Sequence, residues 1–254
     1  VKLSIIVPVY NEEKTLPVIV ERLLAINLAM DTEIVLIDDA STDGTADVIR
    51  TLEQQHQIRS FFQPRNMGKG AALRRGFKEC SGDLVIVQDA DLEYDPHDIV
   101  KLVQPVLTDE ADVVYGSRFS KMNPQVLSYF HYLGNKVLTH ISNMCTNLNM
   151  TDMETCYKLF KADIIKNMEL QANRFGFEPE VTAKLAKTQA RIYELPIKYF
   201  GRTYREGKKI GWRDGIAALW YIFKFNFLTS FEESFTPALP EQYHPVTKNK
   251  SAMV

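Results

Sequence analysis

The chain has 254 residues, enough to bury a sizeable core in one large domain or two small ones. Its hydrophobic fraction of 45% and charged fraction of 24% are ordinary for a soluble globular protein. A formal net charge of −2 supplies no global reason for nucleic-acid binding, so any attraction to anions has to be local.

Cys80, Cys145 and Cys156 are few, odd in number and not spaced like metal ligands. That favours a reducing compartment over a disulfide framework. The N-terminal run has a strand pattern without a charged, helical leader. No stretch reaches the roughly 18–20 apolar residues of a spanning helix. The nearest, from Ile216 to Phe231, is interrupted by Lys224 and Asn226. The expectation is a cytoplasmic chain that lies on a membrane without crossing it.

Along the chain, buried-strand runs at Leu3–Val9, Glu33–Ile37, Ile58–Phe62, Leu84–Val87 and Asp112–Tyr115 alternate with helical periodicity at about 13–28, 44–55, 69–80 and 96–107. This alternation predicts an α/β fold with a mostly parallel, Rossmann-like sheet covered by helices on both faces. The second half is less regular. A helix is predicted at about 125–146, an irregular segment at Thr151–Phe160, a helix from Glu178 to Lys187, a strand at Ala190–Lys198 and an apolar helix from about 214 to 230. The tail, 231–254, with Pro237, Pro240 and Pro245, reads as extended or disordered.

Ligands of such sheets bind beyond the carboxyl ends of the strands. Polar residues gather there: Tyr10-Asn11-Glu12 after the first strand, Asp38-Asp39 after the second and Asp89-Ala90-Asp91 after the fourth. Asp89 and Asp91, two residues apart on extended chain, point the same way and can address one cation. Hard oxygen ligands suit Mg²⁺ or Mn²⁺, which share coordination with substrate phosphates. The competing reading is a solvated acidic turn that caps the next helix. In Asp38-Asp39-Ala40-Ser41-Thr42-Asp43-Gly44-Thr45, a cap for the following helix explains part of the motif. A second adjacent aspartate is more than a cap needs, and carboxylates there can accept from a nucleobase N–H or ribose hydroxyls, flanked by Pro8, Tyr10 and Glu12. Asn66-Met67-Gly68-Lys69-Gly70 resembles a phosphate loop only superficially, lacking its length and its Ser/Thr ending. Its glycines read as sites of close backbone approach, to a nucleotide or to a neighbouring strand.

Taken in order, Ser4-Ile5-Ile6-Val7-Pro8-Val9-Tyr10-Asn11-Glu12, the Asp38-Asp39-x-Ser-x-Asp-Gly-Thr segment, Asn66-x-Gly-Lys-Gly and Asp89-Ala90-Asp91 resemble family 2 glycosyltransferases. Within them the chain is most similar to dolichyl- and polyprenyl-phosphate mannose or glucose synthases. The resemblance covers roughly residues 1–230. It implies a GT-A glycosyltransferase domain, with 1–120 as the nucleotide-sugar half and 121–230 as the acceptor side. It also implies donor contacts at Pro8, Tyr10, Glu12, Asp39, Asp89, Ala90 and Asp91, and metal binding at Asp91 helped by Asp89 and Glu93. Mannose synthases usually carry glutamine at the position of Glu93, so metal use survives this departure but GDP-mannose over UDP-glucose does not follow.

The same resemblance puts Arg118, in Gly116-Ser117-Arg118, where donor and acceptor phosphates meet, a role that suits a planar guanidinium fork. The alternative is a surface arginine paired with a carboxylate. Lys198 to Arg213 is a basic stretch ahead of a helix carrying Trp220, Tyr221, Phe223, Phe225 and Phe227. It suits an anionic lipid surface, with Arg202 and Lys208 implied as donor-diphosphate ligands and plain packing as the helix's other reading. Asp152 and Glu154 read as sugar-orienting acids, as a base or as helix caps. Glu178 and Glu180 are equally open between site and helix dipole, while His131 and His140 pack or are solvated.

The implied reaction is inverting hexose transfer, mannose or glucose, from GDP-mannose or UDP-glucose to a polyprenyl or dolichyl phosphate. An already anionic acceptor needs a cationic seat rather than a base. Transfer to a saccharide or protein hydroxyl is the alternative, with Asp152 or Glu154 as base. An inactive nucleotide-sugar binder would be expected to lack the metal acids, and a nucleotidyltransferase would want a glycine-rich loop where Pro8–Glu12 stands.

Overall fold

The computed structural model describes residues 1–119, 128–201 and 212–246. Strand β1 (Lys2–Val9) runs through the middle of the sheet, with Leu3, Ile5, Ile6, Val7 and Val9 all buried. Consecutive residues are covered on both faces, which is why the run is apolar without alternation. Strands β2 (Asp31–Asp38), β3 (Ile58–Phe62), β4 (Leu84–Val87), β5 (Val113–Ser117), β6 (Lys158–Lys161) and β7 (Ile192–Pro196) complete a seven-stranded sheet in the order β3-β2-β1-β4-β6-β5-β7. Every pairing is parallel except those of β6, which runs against β4 and β5.

Helices α1 (Leu16–Leu24), α2 (Thr45–Gln55), α3 (Lys69–Glu79) and α4 (Asp98–Leu107) are the crossovers of the first half. In α1, Leu16, Ile19, Val20 and Leu23 fall on one buried stripe at helical spacing. Helix α3 lies close on β1 because Gly76 faces the Ile6 side chain directly. The second half contributes α5 (Tyr129–Thr146), α6 (Ala162–Lys166), α7 (Phe177–Leu185) and α8 (Trp212–Phe227). Truncating one of the fully buried β1 side chains to alanine would cost about 2–5 kcal/mol.

All five first-half strands form where their apolar runs predict them. Three expectations need correction. Helix α1 is shorter than the span 13–28, because the turn after β1 occupies 10–15. The segment expected to be irregular, Thr151–Phe160, ends in strand β6 and leads into α6; lysines at both ends of Lys158-Leu159-Phe160-Lys161 hide a four-residue strand from a hydropathy pattern. The tail from 231 is not extended or disordered as far as residue 246. Phe235, Leu239 and Tyr243 are buried, Glu169 N–H donates to the Ser234 carbonyl at 2.9 Å, and Gln189 N–H donates to the Tyr243 carbonyl at 3.1 Å. Pro237 and Pro240 mark turns between apolar residues spaced four apart.

One polar cluster fastens the edge of the sheet opposite the candidate site. The Glu33 carboxylate on β2 accepts from Ser4 Oγ (2.6 Å), Ser81 N–H (2.5 Å) and Lys2 Nζ (3.0 Å). Burial alone would raise its pKa, but these donors outweigh it and hold the carboxyl down at about 2. A depressed folded-state pKa means stability that is present at neutral pH and lost as pH falls. Glu33→Ala should therefore lower the melting temperature at pH 7 by about 2–6 °C. Thermal scans should show the gap to wild type closing between the ordinary value of 4.5 and about 2.

Candidate functional site

Three strand-end turns at the carboxyl edge adopt left-handed backbone at non-glycine residues: Asn11 (φ 55°) after β1, Ala40 (φ 57°) after β2 and Leu92 (φ 64°) after β4. Such conformations cost an L-residue about 1–2 kcal/mol and persist where neighbours over-determine them. Here the first two are tied to one another. Asn11 N–H donates to Ser41 Oγ (2.9 Å), Thr42 N–H donates to Asn11 Oδ1 (2.7 Å), and Glu12 N–H donates to Thr45 Oγ1 (3.0 Å). Asp38 receives Ser41 Oγ at 2.6 Å and holds that turn, while Asp43 Oδ1 accepts from Thr45 N–H (3.0 Å) at the start of α2. Asp39 accepts from Gln63 Nε2 (2.9 Å), Met67 N–H (2.8 Å) and Gly68 N–H (2.7 Å). With about four acceptor positions on a carboxylate, roughly one is left for a ligand. Pro8, Tyr10 and Glu12 stand beside it at the end of β1, with Pro8 in register with Ile37 of β2.

After β4, Asp89 is paired with Lys69 at 3.0 Å, and the same ammonium reaches Glu178 at 3.1 Å. Burial would discharge this lysine, but the two carboxylates hold it well above the ordinary lysine range. Ala90 is buried. Asp91 Oδ1 accepts from Glu93 N–H (3.2 Å), closing the turn at Leu92. Glu93 is gripped in turn, its Oε2 accepting from Tyr199 O–H (2.7 Å) and its carbonyl from Phe200 N–H (2.8 Å). Burial and the Glu93 charge push the Tyr199 phenol up, so it stays a donor. Among the described residues no three acids, histidines or cysteines form a ready metal cage. The donor set nonetheless fits Mg²⁺ or Mn²⁺, which take one or two carboxylates and draw their remaining oxygens from water and substrate phosphates.

Arg118, at the end of β5, is forked onto Asp152. Its backbone N–H (2.9 Å), Nε (2.7 Å) and Nη2 (2.7 Å) all donate to the two carboxylate oxygens, and Nη2 also reaches Asn135 Oδ1 at 3.3 Å. Asp152 is fully buried. The paired-arginine alternative is thus what the geometry has, although the pair is buried. The Arg118 guanidinium also lies 5.3 Å from the centre of the Tyr199 ring, so one tyrosine touches both the Glu93 turn and the arginine. Asp152 is placed by Thr151, whose N–H and Oγ1 donate to Glu194, and by its own N–H to the same carboxylate.

Glu154 and Lys158 come from this segment too. Lys158 Nζ donates to the carbonyls of Met153 (3.1 Å) and Thr155 and lies 4.8 Å from the centre of the Tyr115 ring. Burial pushes the Lys158 ammonium down, and burial with the Glu178 charge pushes the Glu154 carboxyl up. Glu178 and Glu180, which the sequence leaves equivalent, part company. Glu180 accepts from Gln171 N–H (2.8 Å), Ala172 N–H (2.7 Å) and Lys184 Nζ (2.7 Å), a structural role.

Lys69 and Tyr199 belong to the site without having been singled out by sequence. Lys69 sits in the Asn66–Gly70 motif, where the glycines drew the attention. Gly68 (φ 93°) and Gly70 do allow close approach, but to the carbonyls of Asn173 and Ala172 rather than to a neighbouring strand. Tyr199 carries no sequence signal, because only folding brings it to Glu93. Arg202 and Lys208 lie outside the described residues. His140 is exposed and His131 half-buried. Helix α8 answers to both of its readings: Ala218, Ile222 and Phe225 pack inward, while Trp220, Phe223 and Phe227 are exposed.

The model of glycosyl transferase family 2 matches residues 4–168. Among curated proteins, the chain is 31% identical over 209 residues to the undecaprenyl-phosphate 4-deoxy-4-formamido-L-arabinose transferase of Aeromonas hydrophila, covering 81% of this chain. It is 31% identical over 212 residues to that of Photorhabdus laumondii, covering 82%. The chain spans 62% of the length of each of these relatives. Among solved structures, glucosyl-3-phosphoglycerate synthase from Mycobacterium tuberculosis with Mn²⁺, UDP and phosphoglyceric acid superposes with a TM-score of 0.67 at 17% identity, covering 89% of this chain and 78% of that one. The same enzyme with Mn²⁺, UDP and glucosyl-3-phosphoglycerate gives 0.65 at 18%, covering 89% and 80%. The fold is GT-A, and the chain belongs to glycosyl transferase family 2.

Proposed function

We propose that this chain transfers a sugar, with inversion, from a nucleotide-diphosphate donor to a polyprenyl phosphate at a membrane surface. The observation that carries this reading is the position of Tyr199, hydrogen-bonded to Glu93 and stacked by Arg118. It puts the acidic turn suited to a cation and diphosphate one ring away from an arginine suited to a second phosphate. The relatives named above, which act on undecaprenyl phosphate, support the acceptor class. In this reading residues 1–120 hold the donor, through Pro8, Tyr10, Glu12, Asp39, Asp89, Ala90 and Asp91, and 121–230 receive the acceptor.

Asp89, Asp91 and Glu93 would hold Mg²⁺ or Mn²⁺ with the donor's phosphates, in keeping with Mn²⁺ and UDP in the structural neighbours. The bound cation supplies charge neutralisation for the departing nucleoside diphosphate. Displacement at the anomeric carbon passes through an oxocarbenium-like state. The attacking phosphate oxygen is already anionic, so the chain has to seat it rather than deprotonate it. Arg118 serves as that seat, with Arg202 and Lys208 proposed on the donor diphosphate. Asp152 acts through Arg118 as a positioning residue. Both oxygens of this fully buried carboxylate are already held by Arg118, so they do not face an acceptor hydroxyl, which weakens the hydroxyl-acceptor alternative with Asp152 as base. One observation keeps Glu154 in that alternative: its carboxyl is pushed up by burial and Glu178, toward the range of a working base.

The acceptor reading also agrees with the outer faces of α5 and α8, which pack on each other. Tyr129 and Phe130 on α5 are 67% and 82% exposed, and Trp220 and Phe227 on α8 are 55% and 60% exposed. No helix of the described residues is long and apolar enough to cross a membrane. Aromatic faces of this kind lie in the headgroup layer. Three free cysteines suit a reducing compartment and therefore the cytoplasmic face.

Three measurements test these proposals. Transfer of labelled sugar into an organic-phase polyprenyl phosphate should be seen from one of GDP-mannose, UDP-glucose or nucleotide-linked 4-deoxy-4-formamido-L-arabinose. Asp91→Ala should lower it by about 10²-fold or more. Label that moves only to soluble hydroxyl acceptors, and is lost in Glu154→Gln, would favour the alternative. Asp152→Ala strands a buried guanidinium and should cost about 3–5 kcal/mol. Its melting temperature should fall by roughly 6–20 °C, whereas that of Asp91→Ala stays near wild type. Flotation with anionic vesicles should carry the protein upward, and Phe130→Ser combined with Trp220→Ser should leave it at the bottom. Protein that ignores vesicles would remove the membrane surface from the reading.

A further inference from the structure

Glu178 opens helix α7 and is 4% exposed. Its Oε1 meets Lys69 at 3.1 Å, but its Oε2 is buried without a hydrogen-bond partner among the described residues. Glu154 Oε1 is in the same condition, and so is Thr155 Oγ1 next to it. Leaving a buried acceptor unsatisfied is unfavourable, and more so for a charged group. Two carboxylates that feel each other's charge carry that cost together. Native interiors rarely keep such groups unless something outside the chain completes them.

The neighbouring cations do not complete them. Lys69 divides itself between Asp89 and the other oxygen of Glu178. Lys158 is spent on the carbonyls of Met153 and Thr155 and on the Tyr115 ring. Glu180 supplies the contrast on the same helix turn, with both oxygens satisfied by Gln171, Ala172 and Lys184. The deficit at Glu178 is therefore not a general property of α7.

The position of the two acids identifies what is missing. Glu178 shares an ammonium with Asp89 of the proposed cation turn, and Glu154 is within the field of the Arg118–Asp152 pair. Glu178 is thus tied through Lys69 to the turn proposed for the leaving diphosphate, and Glu154 lies two residues from the partner of Arg118, so the two acids adjoin the places that the transferred group has to bridge. Carboxyl oxygens receive O–H or N–H donors, and Glu154, whose carboxyl burial and the Glu178 charge push toward its neutral form, still accepts through its carbonyl oxygen. We propose that Glu154 and Glu178 form the subsite for the sugar ring of the donor, each accepting a hydrogen bond from a ring hydroxyl or amino group. This rests on the glycosyl-transfer reading above and adds the residues that distinguish a sugar nucleotide from the bare nucleotide.

The test is calorimetric binding to the full chain in Mn²⁺, and it requires no turnover. The probes are UDP, GDP, UDP-glucose, GDP-mannose and a UDP-linked 4-amino-4-deoxy sugar. Wild type should bind at least one sugar nucleotide about tenfold more tightly than its own diphosphate, a margin worth about 1.4 kcal/mol. Glu154→Gln and Glu178→Gln should shrink that margin to about twofold while the diphosphate binds as before, which also shows that the variants fold. If Glu178→Gln disturbs diphosphate binding through Lys69, Glu154→Gln and Glu154→Ala decide. A margin for the amino sugar alone assigns the subsite to an amine, and a margin for the hydroxyl sugars assigns it to a diol; either supports the proposal. A margin retained in the Glu154 variants, or absent in wild type while the diphosphate binds, overturns the subsite and leaves the transferase reading standing. Failure of UDP and GDP to bind at all overturns both.

Discussion

Strand β6 runs against its neighbours β4 and β5, and this reversal governs where the chemistry-bearing residues meet. In a parallel sheet, the residues that follow a strand emerge at the carboxyl edge. In a reversed strand inserted among them, the residues that precede it do so instead. Thr151 to Tyr157 lead into β6 and thereby arrive beside Asp89 and Arg118, which follow β4 and β5. The arrival is fastened by Tyr157 O–H to Gln88 Oε1 (2.5 Å), Cys156 N–H to Tyr94 Oη (3.0 Å) and the Arg118–Asp152 fork. Without β6 between them, the β3-β2-β1-β4 and β5-β7 parts of the sheet would share no hydrogen-bonded edge.

The acids at that edge divide by how fully the protein satisfies them. Asp38, Glu180 and Asp152 have their oxygens occupied by backbone N–H, lysine or arginine, and they hold turns and side chains in place. Asp39 is mostly occupied. Glu154 and Glu178 each keep a buried oxygen without a partner among the described residues. Satisfaction, rather than acidity or burial, separates scaffolding acids from candidate ligand-binding ones, because a closed hydrogen-bond set leaves nothing for a substrate to gain. Lys69 and Tyr199 work across the division. Lys69 joins Asp89 to Glu178 of the second half, and Tyr199, itself in the second half, joins Glu93 to Arg118, so the Asp89–Glu93 turn is held from both sides.

The outer surface of the second half follows a different economy. Helices α5 and α8 bury their small and aromatic inward residues and leave large apolar side chains facing out. A globular protein scatters exposed apolar residues singly, and a concentration on two adjoining helices marks a surface for something apolar. A lipid-linked acceptor would bring its phosphate to Arg118 from a bilayer, so a lipid-facing wall on the acceptor side agrees with the proposed chemistry.

Sequence by itself determined the parallel half. Apolar runs of four to eight residues, buried on both faces, alternate with amphipathic helices at the right spacing, and local pattern suffices because each strand carries its own hydrophobic signal. The ordered motifs at Tyr10–Glu12, Asp38–Asp39 and Asp89–Asp91 were likewise legible, since a strand end is a local feature. Tertiary structure alone decided the rest. Strand β6 is too short and too lysine-flanked to announce itself, and its direction is set by pairing with β4 and β5. Whether Arg118 faced solvent or Asp152 depended on a partner 34 residues away, and whether Glu178 or Glu180 was closed depended on Lys69 from α3 in one case and on how the chain before α7 folds back onto Glu180 in the other. A titratable side chain's role is fixed by which donors reach it, and those donors are placed by the packing of the whole sheet rather than by the residues on either side.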